Sequence, residues 1–229
     1  MKLQELSRQS GTPVSTVKYW LREGLLHPGE KRNATTAVYD DTHVERLELI
    51  HTLRQTVGLP VEQVRTVVDA VRDPDMPPAQ LMGVVQSAVL GLTPAAEPAE
   101  SSEPSAPEEP AVPPHSPKSL DARVTASSIV ATMGWNPGAE DANAALAAEL
   151  RRMAGWGLAP DMDTALVYAR AADQVAQFEM DLPPLHSLTR DRLALFVARG
   201  VFGYSQFLQR LLAVAQGSAA LTAAQSQEP

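Results

Sequence analysis

The sequence predicts a mainly α-helical chain: an N-terminal winged helix-turn-helix with a small β-hairpin wing, a Pro-rich linker, and an all-helical C-terminal domain. Three observations carry this. The first forty residues hold two short apolar stripes at helical spacing, each stopped by a glycine and followed by a small basic segment. Residues 93–118 contain eight of the nineteen prolines, with five glutamates and one lysine. Residues 119–217 are rich in alanine, with leucine and aromatics at helical spacing.

Leu3 and Leu6 mark the inner face of a first helix, and Gly11 stops it. Thr12 is the expected N-cap of the second helix, with Pro13 at its first position, where a missing N–H costs nothing. Val14, Val17 and Leu21 form the buried stripe. The opposite face carries Ser15, Thr16, Lys18, Tyr19 and Arg22, a set suited to phosphate and base-edge contacts in a major groove. Gly24 ends this helix. Residues 25–39 form the expected wing, with Lys31, Arg32, Asn33 and Thr35 near its tip. Val44, Leu47, Ile50 and Leu53 predict a helix over 42–56. Val61, Val64, Val67 and Val71 predict another after Pro60, with a strand over 64–71 as the rival because valine is a poor helix former. Residues 79–92 predict a short apolar helix cut off by Pro94.

The run Thr16-Val17-Lys18-Tyr19-Trp20-Leu21-Arg22-Glu23-Gly24-Leu25-Leu26 resembles the recognition-helix signature of the MerR family of transcriptional regulators. Tyr39-Asp40-Asp41 and Leu59-Pro60-Val61-Glu62-Gln63-Val64 fall where that family closes its wing and begins its fourth helix. The resemblance covers about residues 1–72. It implies a dimer on a two-fold symmetric operator, with Ser15, Thr16, Lys18, Tyr19 and Arg22 on the recognition helix and Lys31, Arg32 and Thr35 on the wing. The partners it implies are double-stranded DNA, a second copy of the chain and RNA polymerase. The chain departs from the family pattern at Lys18, where arginine is usual, at Trp20, often tyrosine, and at Leu59, often a polar cap. Lysine lacks the bidentate fork of arginine, which weakens base reading there. The family's long dimerisation helix is also shortened here by Pro94.

The expected organisation is therefore residues 1–75 as the DNA-binding domain, 76–92 as a short connecting or dimerisation helix, and 93–118 as a disordered linker. Residues 119–217 follow as a helical dimerisation or effector domain, and 218–229 as a disordered tail. The linker composition cannot bury enough apolar surface to order itself, and its reach is at most about 80 Å. A flexible tether transmits position poorly, so a fragment of residues 1–92 is expected to keep weakened DNA binding. Four C-terminal helices are expected, over about 119–133, 139–155, 161–180 and 187–216, the last with a long apolar stripe suited to a dimer interface or a core. Met133, Trp135, Trp156, Tyr168, Phe178 and Tyr204, with Met153 and Met180, are candidates to line an apolar effector pocket. The same residues would equally serve as ordinary core. An Ala-rich helical domain of this kind resembles those found behind actinobacterial-type winged helices.

Charge and composition narrow the function. The formal net charge is −8, yet residues 1–39 hold six Lys/Arg against three acids, so the footprint on DNA is locally basic. That modest excess of cations argues for two copies on DNA. The absence of cysteine excludes disulfides and thiolate metal sites. The five histidines show no ligand spacing in the sequence, so no metal or cofactor is expected. No apolar run reaches about 18 residues, no signal peptide precedes the first helix, and a cytoplasmic protein is expected. No catalytic constellation is present, so the chain is not expected to be an enzyme. The competing readings are a protein-interaction module built on the winged-helix fold and a constitutive repressor without effector.

Overall fold

The computed structural model describes residues 1–32, 37–92, 124–180 and 187–225. Its elements in chain order are α1 (Leu3–Ser10), α2 (Val14–Arg22), β1 (Glu30–Lys31), β2 (Ala37–Val38), α3 (Asp41–His51), α4 (Val61–Arg72), α5 (Pro78–Leu90), α6 (Ala126–Met133), α7 (Glu140–Gly155), α8 (Met162–Met180) and α9 (Arg190–Gln225). Two compact units result: Met1–Leu90 with Pro184–Pro229, and Gly91–Pro183. The expected linker over 93–118 and the last four residues lie outside the described residues.

In the first unit, the α1–α2 turn forms as the sequence predicts, with one difference. Pro13, with φ −54° and ψ 142°, is the N-cap of α2 and makes no side-chain cap bond. Thr12 is buried instead, and its Oγ1 reaches back to the Ser10 carbonyl at 3.4 Å. Gly24 follows α2 with φ +70°, a conformation that any Cβ would strain. The wing is a minimal hairpin with Glu30 opposite Val38 and Lys31 opposite Ala37. At its base a Cβ on Gly29 would lie 2.7 Å from the Val38 carbonyl oxygen, so only glycine permits the two strands to meet.

The helix expected over 42–56 forms as α3, and then widens into π-helical turns over Thr52–Val57. Residues 64–71 are helical, within α4. Burial of Val64, Val67, Val68 and Val71 on one face outweighs their poor intrinsic propensity. A small cluster of Leu6, Val17, Leu26, Tyr39 and Leu47 holds the helix-turn-helix to α3. A larger one joins α3, α4, α5 and α9, and half-buried Trp20 packs against both.

The position of α9 corrects the expected domain boundary. Residues 119–217 do not form one domain, because the start of α9 packs with α3, α4 and α5 in the first unit. Leu193, Ala194, Val197 and Ala198 are buried there. The short α5 leaves apolar surface of α3 and α4 uncovered, and Ala194 and Ala198, four residues apart, allow a close helix approach. Polar contacts fix the register. Arg46, 4% exposed, binds both carboxylate oxygens of Asp191, with Nη2 to Oδ2 at 3.1 Å. Glu45 receives Thr189 at 2.7 Å and Arg192 at 2.8 Å. Arg199 pairs with Glu48 at 3.0 Å. Arg190 spends all three guanidinium nitrogens on the carbonyls of Ala70, Val71 and Met76, each at 2.8 Å. These lie at and just after the C-terminal end of α4, where cations are favoured. The expected weak coupling of the C-terminal region to residues 1–92 therefore does not hold for α9. The helix has 36 residues, about 54 Å at 1.5 Å per residue, and includes residues 218–225, expected as a tail.

The second unit, taken by itself, contains α6, α7 and α8. α6 starts in a capping box between Thr125 and Ser128. Its core is small: Ile129, Ala165 and Ala169, with half-buried Met133, Trp135, Leu146 and Leu150 around them. Trp135 Nε1 donates to Asp173 at 2.7 Å.

Candidate nucleic-acid interface

α2 turns Val17 wholly inward, so its other face is solvent-exposed. Ser15, Lys18, Tyr19 and Arg22 are exposed and Thr16 is half-buried. Tyr19 is 37% exposed and stacks against Trp20, with ring centroids 4.6 Å apart. Lys31 and Arg32 are exposed on the wing, and Thr35 lies outside the described residues. Lys18, Arg22, Lys31 and Arg32 take part in none of the ion pairs among the described residues. Their charges are thus available to an external anion.

Other cations of this unit are committed internally. Arg65 Nη1 donates to the Glu23 carbonyl at 2.8 Å, Arg72 to the Gly24 carbonyl, and Arg46 Nη1 to the Leu25 carbonyl at 3.4 Å. Three guanidinium groups thus grip the chain where α2 ends. They neutralise the negative end of its dipole and hold its orientation. Sequence reasoning missed these positioning residues. Arg65 and Arg72 lie seven apart on the polar face of α4, a signal indistinguishable in the sequence from a solvated face.

Residues 1–71 match the model of a family described as MerR HTH family regulatory protein. The first part of the chain is a MerR-family helix-turn-helix domain. A crystal structure named for a candidate transcriptional regulator, SCO5550 from Streptomyces coelicolor A3(2), is similar over 96% of this chain and 96% of that one. Its identity to this chain is 26% and the TM-score is 0.54. No curated protein matches the chain. Among the described residues, no helix is long and apolar enough to cross a membrane.

The residues expected to line an effector pocket are not brought together. Met133 and Trp135 join the small core of the second unit. Trp156, Tyr168 and Phe178 are 62%, 64% and 79% exposed. Trp156 lies under the Arg152 guanidinium at 5.2 Å. Tyr204 is on α9, in the first unit, and is also exposed. Periodicity alone could not separate these positions from core, since aromatics recur at helical spacing in both cases.

Proposed function

We propose that the protein is a sequence-specific transcriptional regulator that binds an inverted-repeat operator as a dimer. The observation that carries this is the exposed face of α2 with Ser15, Lys18, Tyr19 and Arg22, together with exposed Lys31 and Arg32 on the wing, the four cations taking part in none of the ion pairs among the described residues. The helix is the right width for a major groove, and its register is set by the arginines at its end. SCO5550, named for a regulator role, supports the same reading across the whole chain.

The second copy is assigned to α9. Beyond the buried first turns, Tyr204, Phe207, Leu211 and Val214 recur at alternating steps of three and four and are all at least half exposed. That is the seam of a two-stranded coiled coil. The short α5 is covered by α9 within the chain, so α9 takes over its dimerising role. A small-molecule effector is not part of this reading, because its candidate lining is scattered.

The test is selection of genomic DNA fragments by the purified protein, followed by affinity measurements across salt concentrations. An enriched inverted repeat is expected. Lys18→Ala with Arg22→Ala should weaken binding and reduce the salt slope by about two. Unchanged affinity in that double variant would overturn the assignment of α2. In light scattering, Leu211→Asp should yield monomers. A persistent dimer would move the interface elsewhere.

A further inference from the structure

The packing of α2 anchors it thinly. Val17 is its one wholly buried residue, with Trp20 and Leu21 half-buried beside it. The chain just beyond is held much harder. Leu25 and Leu26 are fully buried, and their amides both donate to the Trp20 carbonyl, at 3.0 and 3.1 Å. His27 then stacks on His43 at 3.8 Å between centroids, and His43 Nδ1 lies 2.7 Å from Asp40 Oδ1, so the segment after Leu26 is fastened to the start of α3. The direction in which α2 meets this fixed segment is set at the carbonyls of Glu23, Gly24 and Leu25, which Arg65, Arg72 and Arg46 hold.

These arginines are in turn tied to the first turn of α9. Arg46 presents Nε and Nη2 to the two oxygens of Asp191, 145 residues away, and reaches the Leu25 carbonyl with Nη1. One planar guanidinium thus joins α9 to the chain below α2. The Arg46 and Asp191 side chains are 5% and 14% exposed, so water hardly competes for these bonds. Arg190, the neighbouring residue, takes the carbonyls of Ala70, Val71 and Met76. That is the end of α4, the helix that carries Arg65 and Arg72.

We propose that Asp191 and Arg190 are positioning residues for DNA recognition. By holding Arg46 and the end of α4, they set the angle at which α2 presents Ser15, Lys18, Tyr19 and Arg22. The proposal rests on the regulator reading above. Reading base edges requires the contacting side chains to be held within about 0.5 Å of their productive places, and a helix with one wholly buried residue does not hold itself so closely. Phosphate contact through exposed cations carries no sequence information and tolerates a looser helix. Loosening the first turn of α9 therefore costs discrimination between sequences and leaves general attraction to DNA in place. The helix assigned to dimerisation and the helix assigned to base reading are parts of one hydrogen-bonded unit.

The experiment measures the affinity of the full-length protein for its selected operator and for unrelated DNA at one salt concentration, with hydrogen exchange at the Leu25 and Leu26 amides as a second readout. Arg46→Met with Asp191→Ala removes the buried charge and its partner together, so the chain should keep most of its stability in urea. Its operator affinity should fall about tenfold or more, the scale of one mismatched base pair, while its affinity for unrelated DNA stays the same. The Leu25 and Leu26 amides should exchange about tenfold faster, and those of Val67 and Val68 in α4 should not change. Arg46→Lys keeps a charge beside Asp191, so folding is retained, but it lacks the fork that spans Asp191 and the Leu25 carbonyl. It should show the same losses in smaller measure. A pair that merely stabilises the fold would speed exchange throughout the first unit and leave the ratio of the two affinities unchanged, which overturns the proposal. A wild type that discriminates no DNA sequence overturns the regulator reading, and this proposal with it. Equal discrimination by the wild type and both folded variants overturns this proposal alone.

Discussion

In the first unit Leu49, Ile50, Leu53, Val64 and Val67 are wholly buried. In the second, Ile129 still exposes 5%, and α7 contributes no buried residue at all. The first unit joins four helices around one apolar cluster and secures α9 with the buried Arg46–Asp191 pair and two more exposed pairs, Arg192–Glu45 and Arg199–Glu48. The second leaves Trp156, Leu158, Val167, Tyr168 and Phe178 in solvent. Apolar content does not explain the difference, since the Ala-rich helices of the second unit are at least as apolar. Side-chain volume does. Leucine and valine fill the space between crossing helices, whereas alanine, with a single methyl, buries much less surface per residue.

The largest expected effect comes from ending the chain after residue 92. Without α9, the faces of α3, α4 and α5 that cover Leu193, Ala194, Val197 and Ala198 would open to water, and Arg46 would lose Asp191. The fragment should lack a cooperative melting transition and bind no operator. A sharp transition with retained binding would show that α9 is dispensable.

Asp191→Ala should come next. It leaves the Arg46 charge buried without its partner, a loss of about 3–5 kcal/mol in urea denaturation. Restoring volume and removing the charge with Arg46→Met in the same chain should recover much of it. No recovery would mean that the Arg46 bond to the Leu25 carbonyl, rather than the ion pair, dominates.

Trp135→Ala probes the other side of the comparison. It removes a half-buried ring and the bond to Asp173, for about 2–4 kcal/mol by the usual cost of aromatic truncation, scaled for partial burial. The loss should fall on the second unit alone. Operator affinity that drops with it would show that the two units are energetically coupled.

Acid should have a smaller and graded effect on the first unit. His27 has a lowered pKa, so the unfolded chain takes up its proton first as pH falls. Stability is complete above about pH 6.5 and is lost as pH falls toward the folded value. Asp40 is held well below the carboxylate range by the Thr42 hydroxyl and then by His43. Burial pushes Glu45 up, but bonds from Thr189 and Arg192 outweigh it and the net shift is downward. Both carboxylates therefore add a loss at more acid pH. The melting temperature should decline between about pH 7.5 and 5.5, and His27→Gln should flatten that decline. A decline of equal steepness in the variant would assign it to other groups.

Local signals carried most of the helices. Gly11, Gly24 and the valine stripe of α4 placed the ends and faces of the first four helices, and Pro94 marked the truncation of α5. Three things were not legible. The return of α9 depends on a contact between residues about 145 apart, and nothing in its apolar stripe says whether the partner is α8, α5 or a second copy. The exposed face of α2 was legible because its residue types suit DNA. The Arg46–Asp191 pair and the His27–Asp40–His43 cluster were not, because each is assembled from separate elements whose sequence neighbours give no hint of the meeting.

The return of α9 also bears on synthesis. A ribosome that has finished α5 must add about a hundred more residues before Arg190 and Asp191 emerge. At roughly 5–20 residues per second, that is several seconds or more in which the N-terminal helices exist with an apolar face uncovered. During that interval the nascent chain carries an uncovered apolar face of the kind chaperones bind. The apolar cluster that α3, α4 and α5 share with α9 is completed only once α9 has emerged.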